Sequence, residues 1–230
     1  VDRVMLPNGE IKAVSEVSAS PEFKPVADKL QSAQQLVIAT PRRATLAPGK
    51  GQTIRIRVSP PPAATGEYRT HLTVTTIPPR DVGLTAEQAA NQRPGELSFR
   101  IQSVFGLSIP VIVRPGDVDV KAAIENVSMS YADISPDGVA PPKRTPVLSF
   151  DLTRAGSNSL FGNVEIHGAG GQKAPIGLAR GVGVYPEIDR RSIRIPLQRA
   201  PQAGEQLSIV FTDDDAKPGS VIARSSFTAS

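Results

Sequence analysis

Leu97–Pro115, LSFRIQSVFGLSIPVIVRP, decides how the rest of the chain is read. Every odd position from Leu97 to Val113 is apolar except Ser103: Leu97, Phe99, Ile101, Phe105, Leu107, Ile109, Val111 and Val113. The even positions include Ser98, Arg100, Gln102, Gly106 and Ser108. Alternation of this kind is the period of a strand with one buried face. At roughly 3.3 Å per residue, Leu97–Val113 would span about 55 Å, against ~17–20 Å for an ordinary strand. A small sandwich covers only part of such a strand. The strand either bends between two sheets or offers its overhanging half to another chain.

Outward from this stretch the same period recurs. Upstream, Val1–Leu6 and Ile11–Val17 flank Pro7-Asn8-Gly9 and read as a hairpin. Ser18–Gln35 reads as a Pro-punctuated loop, and Leu36–Thr40 as a short buried strand. Thr53–Val58 alternates with Ile54, Ile56 and Val58 inward and Arg55 and Arg57 outward. Glu67–Ile77 places Tyr68, Leu72 and Val74 on one face, and a polar loop over Arg80–Glu96 follows. Thr85–Asn91 is the one fair helix candidate, a brief stretch that is expected to belong to this loop. Downstream of Arg114-Pro115-Gly116, strands are expected near Ala122–Tyr131, Val147–Arg154, Leu160–His167, Ile176–Tyr185, Ile193–Gln198, Gln206–Thr212 and Val221–Phe227. Seven short strands make a second sandwich. The expected architecture is all-β in two domains, residues 1–116 and 117–230, with the boundary at Gly116-Asp117.

Composition narrows the function. With 230 residues the chain can hold two small cores, and 22 Pro and 19 Gly suit many short strands joined by turns. A net charge of +4 gives a mildly basic surface. Nucleic-acid binding would need basic clusters interleaved with exposed aromatics. The few aromatics fall mainly at inward-alternating positions, so no nucleic-acid partner is expected. No apolar run approaches the length of a membrane span. The absence of Cys excludes disulfides and thiolate metal sites.

Catalytic signals are missing as well. His71 and His167 are the only histidines, and neither has a neighbouring Ser/Asp arrangement or metal-ligand spacing. Asp213-Asp214-Asp215 lacks the alternating spacing of a calcium loop and reads as a solvated turn. The glycines of Gly168–Gly171, with Gly181 and Gly183, do not follow a phosphate-cradling pattern. No enzyme, cofactor or metal is expected.

Three segments in order carry a resemblance: SAQQLVIATPRRATLAPGKGQTIRIRV, then GEYRTHLTVTTIPP, then SIPVIVRP. Together they resemble the first domain of PapD-like periplasmic pilus-assembly chaperones. LTRAGSNSLFGNVEIHG, GVGVYPEIDRRSIRIPL and GEQLSIVFTDD resemble that family's second domain more loosely. The resemblance implies two immunoglobulin-like β-sandwich domains set at an angle. It also implies a periplasmic chaperone that lends its strand G to a pilus or fimbrial subunit lacking a final strand, and then meets an outer-membrane usher. Leu97–Val113 matches the lent strand. Leu97, Phe99, Ile101 and Phe105 would be the donated side chains, with Ser103 at a shallow or interrupted pocket. Leu107, Ile109, Val111 and Val113 would stay in the chaperone's own core.

The resemblance further implies an inter-domain charge network of Glu67, Arg114 and Asp213, with Asp214 close by. Two departures stand out. The family's Lys anchor for the subunit carboxylate is replaced by Pro110, and strands A and B do not appear, so they are expected upstream of Val1 after a cleaved signal peptide. The alternative reading is a structural or adhesive cell-surface β-sandwich protein without chaperone activity.

Overall fold

Strands dominate the computed structural model of this chain, which describes residues 1–78, 103–135, 137–169 and 174–229. The first half carries β1 (Arg3–Met5), β2 (Ile11–Ala13), the short helices α1 (Val14–Ser18) and α2 (Lys24–Asp28), β3 (Val37–Thr40), β4 (Arg55–Val58), β5 (Tyr68–Thr75) and β6 (Gly106–Val113). The second half carries β7 (Ala122–Ile134), β8 (Lys143–Arg154), β9 (Leu160–His167), β10 (Gly177–Val184), β11 (Arg190–Pro196), β12 (Gln206–Asp213) and β13 (Val221–Thr228). The chain is mostly β.

The seven strands of the second half form two antiparallel sheets, ordered β10-β9-β12-β13 and β11-β8-β7. Alternation sets what each strand buries. In β9 the inward residues are Leu160, Gly162, Val164 and Ile166, and in β12 they are Leu207, Ile209, Phe211 and Asp213. Leu148, Phe150 and Leu152 of β8 and Ile193 and Ile195 of β11 join them in one apolar cluster. Each such side chain contributes about 1.5–3 kcal/mol on full burial, so the main core sits here. Gly162 is required at its inward position: a Cβ there would collide with the Thr212 carbonyl and press on the Phe211 ring.

In the first half, Pro7-Asn8-Gly9 turns β1 into β2 with the register Arg3↔Ala13 and Met5↔Ile11. Gly9 adopts a φ of +88°, which its lack of a side chain permits. The strand expected over Ile11–Val17 stops at Ala13, where α1 begins, and α2 lies inside the expected loop Ser18–Gln35. Both corrections have one cause. Val14 and Val17, then Phe23, Val26, Ala27 and Leu30, follow helical spacing in bursts too short to stand out, and they pack with Val4 and Leu6 in a small second cluster. Pro25 falls in the first turn of α2, where its missing N–H breaks no helical bond. The helix candidate Thr85–Asn91 lies outside the described residues.

β3 pairs with β4, and β5 with β6, as separate antiparallel two-stranded ladders. Among the described residues only a single parallel bridge, Ser32↔Arg69, adds to either. Ile56 and Val58, expected inward, are exposed, and Ile54 is half-buried. Their alternation is real, but no second sheet among the described residues covers it. Among the described residues of the long segment, Gly106–Val113 is strand and Ser103–Phe105 is irregular. Leu97, Phe99 and Ile101 lie outside the described residues.

Gly116-Asp117 separates the strands of the two halves but not their cores. Met5 belongs to the large cluster of the second half, and Val26 and Ile112 pack against its edge.

Candidate functional site

The ladder β5–β6 is built in the register Tyr68↔Val113, Thr70↔Val111, Leu72↔Ile109 and Val74↔Leu107, with Arg69↔Ile112, His71↔Pro110 and Thr73↔Ser108 between them. Opposed residues share a face, so Leu72, Val74, Leu107 and Ile109 make one apolar face while Arg69 and His71 lie on the other. Burial runs opposite to the expected sense. Leu107 is 69% exposed, and Val74 and Ile109 are also exposed, whereas Arg69 is 2% and His71 5% exposed. The expectation that Leu107 and Ile109 stay in a core of their own half is therefore corrected, while Val111 and Val113 are half-buried. Phe105 is 71% exposed and extends the ladder by one step, its carbonyl accepting from Thr76 N at 2.8 Å. Ser103, like Phe105, is exposed and irregular.

Backbone direction identifies an open edge. Arg69 N donates to Gln31 O (2.8 Å) and Ala33 N donates to Arg69 O (3.0 Å). His71 N donates to Val1 O (2.9 Å), and Val1 N donates to His71 O (2.8 Å). Arg69 and His71 thus turn their backbones away from β6. In an antiparallel ladder these directions alternate. On β6, Gly106, Ser108, Pro110 and Ile112 therefore present their backbone groups to the edge away from β5, which pairs with no strand among the described residues.

Behind the ladder lies a junction of charges. Arg114, just past β6, donates from Nε to Glu67 Oε2 at 2.9 Å, from Nη1 to Asp215 Oδ2 at 2.5 Å and from Nη2 to Ser159 Oγ at 2.9 Å. Glu67, just before β5, also accepts from Ser159 N and Oγ, both at 2.9 Å. Burial works against the Arg114 charge, but the hydrogen bonds and charges of Glu67 and Asp215 outweigh it and hold the guanidinium above its ordinary value. Two of the three expected network residues, Glu67 and Arg114, are in contact. Asp213 is not the acidic partner. Its buried carboxylate accepts from Asp215 N (3.1 Å) and Lys217 N (2.5 Å), folding the turn that carries Asp215 to Arg114. No cluster of three or more metal-ligating side chains occurs among the described residues.

A second buried junction went unread in the sequence. Arg69 pairs with Glu187 on the β10–β11 loop, and its guanidinium carbon lies 3.9 Å from the ring centroid of Tyr185. Glu187 Oε1 also accepts from Met5 N at 2.8 Å, and Arg69 Nη2 donates to Arg3 O at 3.1 Å. The available signal was the spacing of Glu67, Arg69 and His71: ionisable residues two apart share a strand face, and a face with alternating sign has partners to meet. His167, the other histidine, is half-buried with Nε2 3.0 Å from Glu165 Oε2.

Comparison of the chain with protein-family models, with curated proteins and with solved structures finds no match in any of the three. No helix among the described residues is long and apolar enough to cross a membrane.

Proposed function

We propose that this chain is a periplasmic chaperone of the PapD-like kind, which binds an incomplete β-sandwich pilus or fimbrial subunit by β-strand addition along residues 97–108. One observation carries the reading: β6 has a hydrogen-bonding edge that pairs with no strand among the described residues, flanked by the exposed apolar side chains Phe105, Leu107 and Ile109. Main-chain bonds at such an edge give affinity, and alternate side chains set register. An exposed strand edge of this kind is otherwise a liability for aggregation.

Two further features support it. In the second half, β8 neighbours β11 and β9 neighbours β12, the crossed connections of an immunoglobulin-like sandwich. The Glu67–Arg114 pair joins the ends of β5 and β6 to Ser159 and Asp215 of the second half, which suits two immunoglobulin-like domains held at an angle. Pro110 then has a role of its own: it offers no N–H to the open edge and ends the segment to which a subunit strand can add. On this reading the donated side chains are Leu97, Phe99, Ile101 and Phe105, and an outer-membrane usher receives the complex.

The test is subunit capture from periplasm by folded variants. Phe99→Asp and Ile101→Asp place a charge where an apolar pocket cannot pair it and are expected to abolish capture. Gln102→Asp, at an even position of the alternation, is expected to retain it. Equal loss at odd and even positions, or none at either, rejects strand donation and favours the structural or adhesive alternative.

A further inference from the structure

Residues 1–30 touch both halves of the molecule. Toward the second half, the Met5 side chain enters the large core, Met5 N donates to Glu187 Oε1, and Lys29 Nζ lies 3.5 Å from Asp189 Oδ2. The turn at Gly9 packs against the Arg191 side chain so closely that a Cβ would clash with its guanidinium. Toward the ladder, Val1 exchanges both backbone bonds with His71, Asp2 Oδ1 accepts from Thr70 Oγ1 at 2.7 Å, and Arg3 O accepts from Arg69. The segment crosses the junction like a strap.

His71 sits under its end. The ring is buried, and Nδ1 has no hydrogen-bond partner. Arg69 on its own strand, Arg3 on β1 and Asp2 at the strap's start are charged groups around it. Glu187, on the β10–β11 loop, is already engaged by Arg69 and Met5 N. Pro110, opposite His71 across the ladder, has no side-chain acceptor. An imidazolium here would be buried beside two guanidinium groups, with the Asp2 carboxylate acting against them.

We propose that residues 1–30 are a strap holding the β5–β6 ladder against the second half, and that protonation of His71 releases it. This inference does not depend on strand donation. Burial first, then the charges of Arg69 and Arg3, lowers the His71 pKa from 6.5 to about 4. Once the strap lifts, the ring regains water and its ordinary value. The released form therefore binds more protons between those two values, so release is favoured as pH falls through 6.5 toward 4 and gains nothing above 6.5. By linkage the release equilibrium rises about 50-fold from pH 7 to pH 4.5.

Hydrogen exchange on the full chain tests this. After correction for intrinsic rates, protection of the Met5 and His71 amides is expected to fall about 50-fold between pH 7 and pH 4.5, while β8 and β12 stay protected. In His71→Gln that fall should disappear. An unchanged fall in the variant, or equal loss in β8 and β12, overturns the proposal. If His71→Gln does not fold, the wild-type ring titration by NMR decides. A midpoint near 4 that rises in Arg3→Met supports the device, and a wild-type midpoint at 6.5, or no shift in Arg3→Met, overturns it.

Discussion

Pro110 lies directly opposite His71 across the β5–β6 ladder, and the two backbones point in opposite directions: that of His71 toward Val1, that of Pro110 toward the open edge of β6. The proline therefore costs the ladder no hydrogen bond. Its missing donor is subtracted from the outer edge, between the outward N–H groups of Ser108 and Ile112. Proline placed this way blunts an edge against pairing with other chains.

Restoring that donor should lengthen the usable edge. In Pro110→Val one more backbone hydrogen bond becomes available, worth about 0.5–1.5 kcal/mol net. The variant is expected to self-associate or hold a partner strand roughly 2–10 times more tightly, with its melting temperature little changed. Sedimentation at matched concentrations reads the first, and thermal melting the second. Association no stronger than wild type would mean that the edge is blocked by something other than Pro110.

The junction behind the ladder separates two carboxylates that look alike in the sequence, Asp213 and Asp215. Arg114→Ala strands the buried Glu67 carboxylate, a loss of about 3–5 kcal/mol. Asp215→Asn removes a partner that is 39% exposed at its side chain, and such pairs contribute about 0–1 kcal/mol. Asp213→Ala removes an acceptor buried beneath two backbone N–H groups and should cost about 1–3 kcal/mol. Chemical denaturation of the three variants gives the ranking Arg114→Ala, then Asp213→Ala, then Asp215→Asn. A larger loss for Asp215→Asn than for Asp213→Ala would contradict this assignment of roles.

The strands of the second half were legible because most of them alternate and face a partner sheet. Leu160, Val164 and Ile166 on β9 and Leu207, Ile209 and Phe211 on β12 face one core, so the period alone located them. Ile56, Val58, Leu107 and Ile109 carry the same period and are exposed. Alternation reports which face is apolar, while burial depends on what covers that face. Arg69 shows the converse. It is charged and yet buried, because Tyr185 and Glu187, more than a hundred residues later in the chain, supply a stacking ring and a counter-charge. Glu67 and Arg114 came from a family resemblance, but the choice among Asp213, Asp214 and Asp215 depended on a turn closed by backbone bonds to Asp213. Helices α1 and α2 escaped because five residues are too few for a 3.6-residue period to declare itself.

One carboxylate far from the junction offers a clean titration. Hydrogen bonds from Arg199 first, then from the backbone of Gln202 and Ala169, hold the Glu205 pKa down at about 2 from 4.5. A depressed carboxyl stabilises the fold above its ordinary value, and that contribution fades as pH falls from 4.5 toward 2. Arg199→Met removes the largest cause, so the Glu205 carboxyl should titrate closer to 4.5 by NMR. The loop around Ala200–Gly204 should then loosen at a higher pH than in wild type. A Glu205 midpoint unmoved by the substitution would leave the backbone donors as the whole cause.

Leu107 and Ile109 separate what the ladder does for folding from what it does for binding. Both side chains are exposed, so Leu107→Ser and Ile109→Ser remove little buried area and should change stability by no more than about 0.5 kcal/mol. Leu148, fully buried in the large core, sets the contrast: Leu148→Ala should cost about 2–5 kcal/mol. If a partner strand covers the apolar face, each Ser variant gives up roughly 1.5–3 kcal/mol of burial in the complex alone. Capture of a β-sandwich subunit should then weaken by about tenfold or more per substitution, while the free protein melts as before. Exposed apolar side chains that could be exchanged for Ser without effect on either stability or capture would show that this face meets no partner. A stability loss approaching that of Leu148→Ala would show instead that the face is already covered in the free chain.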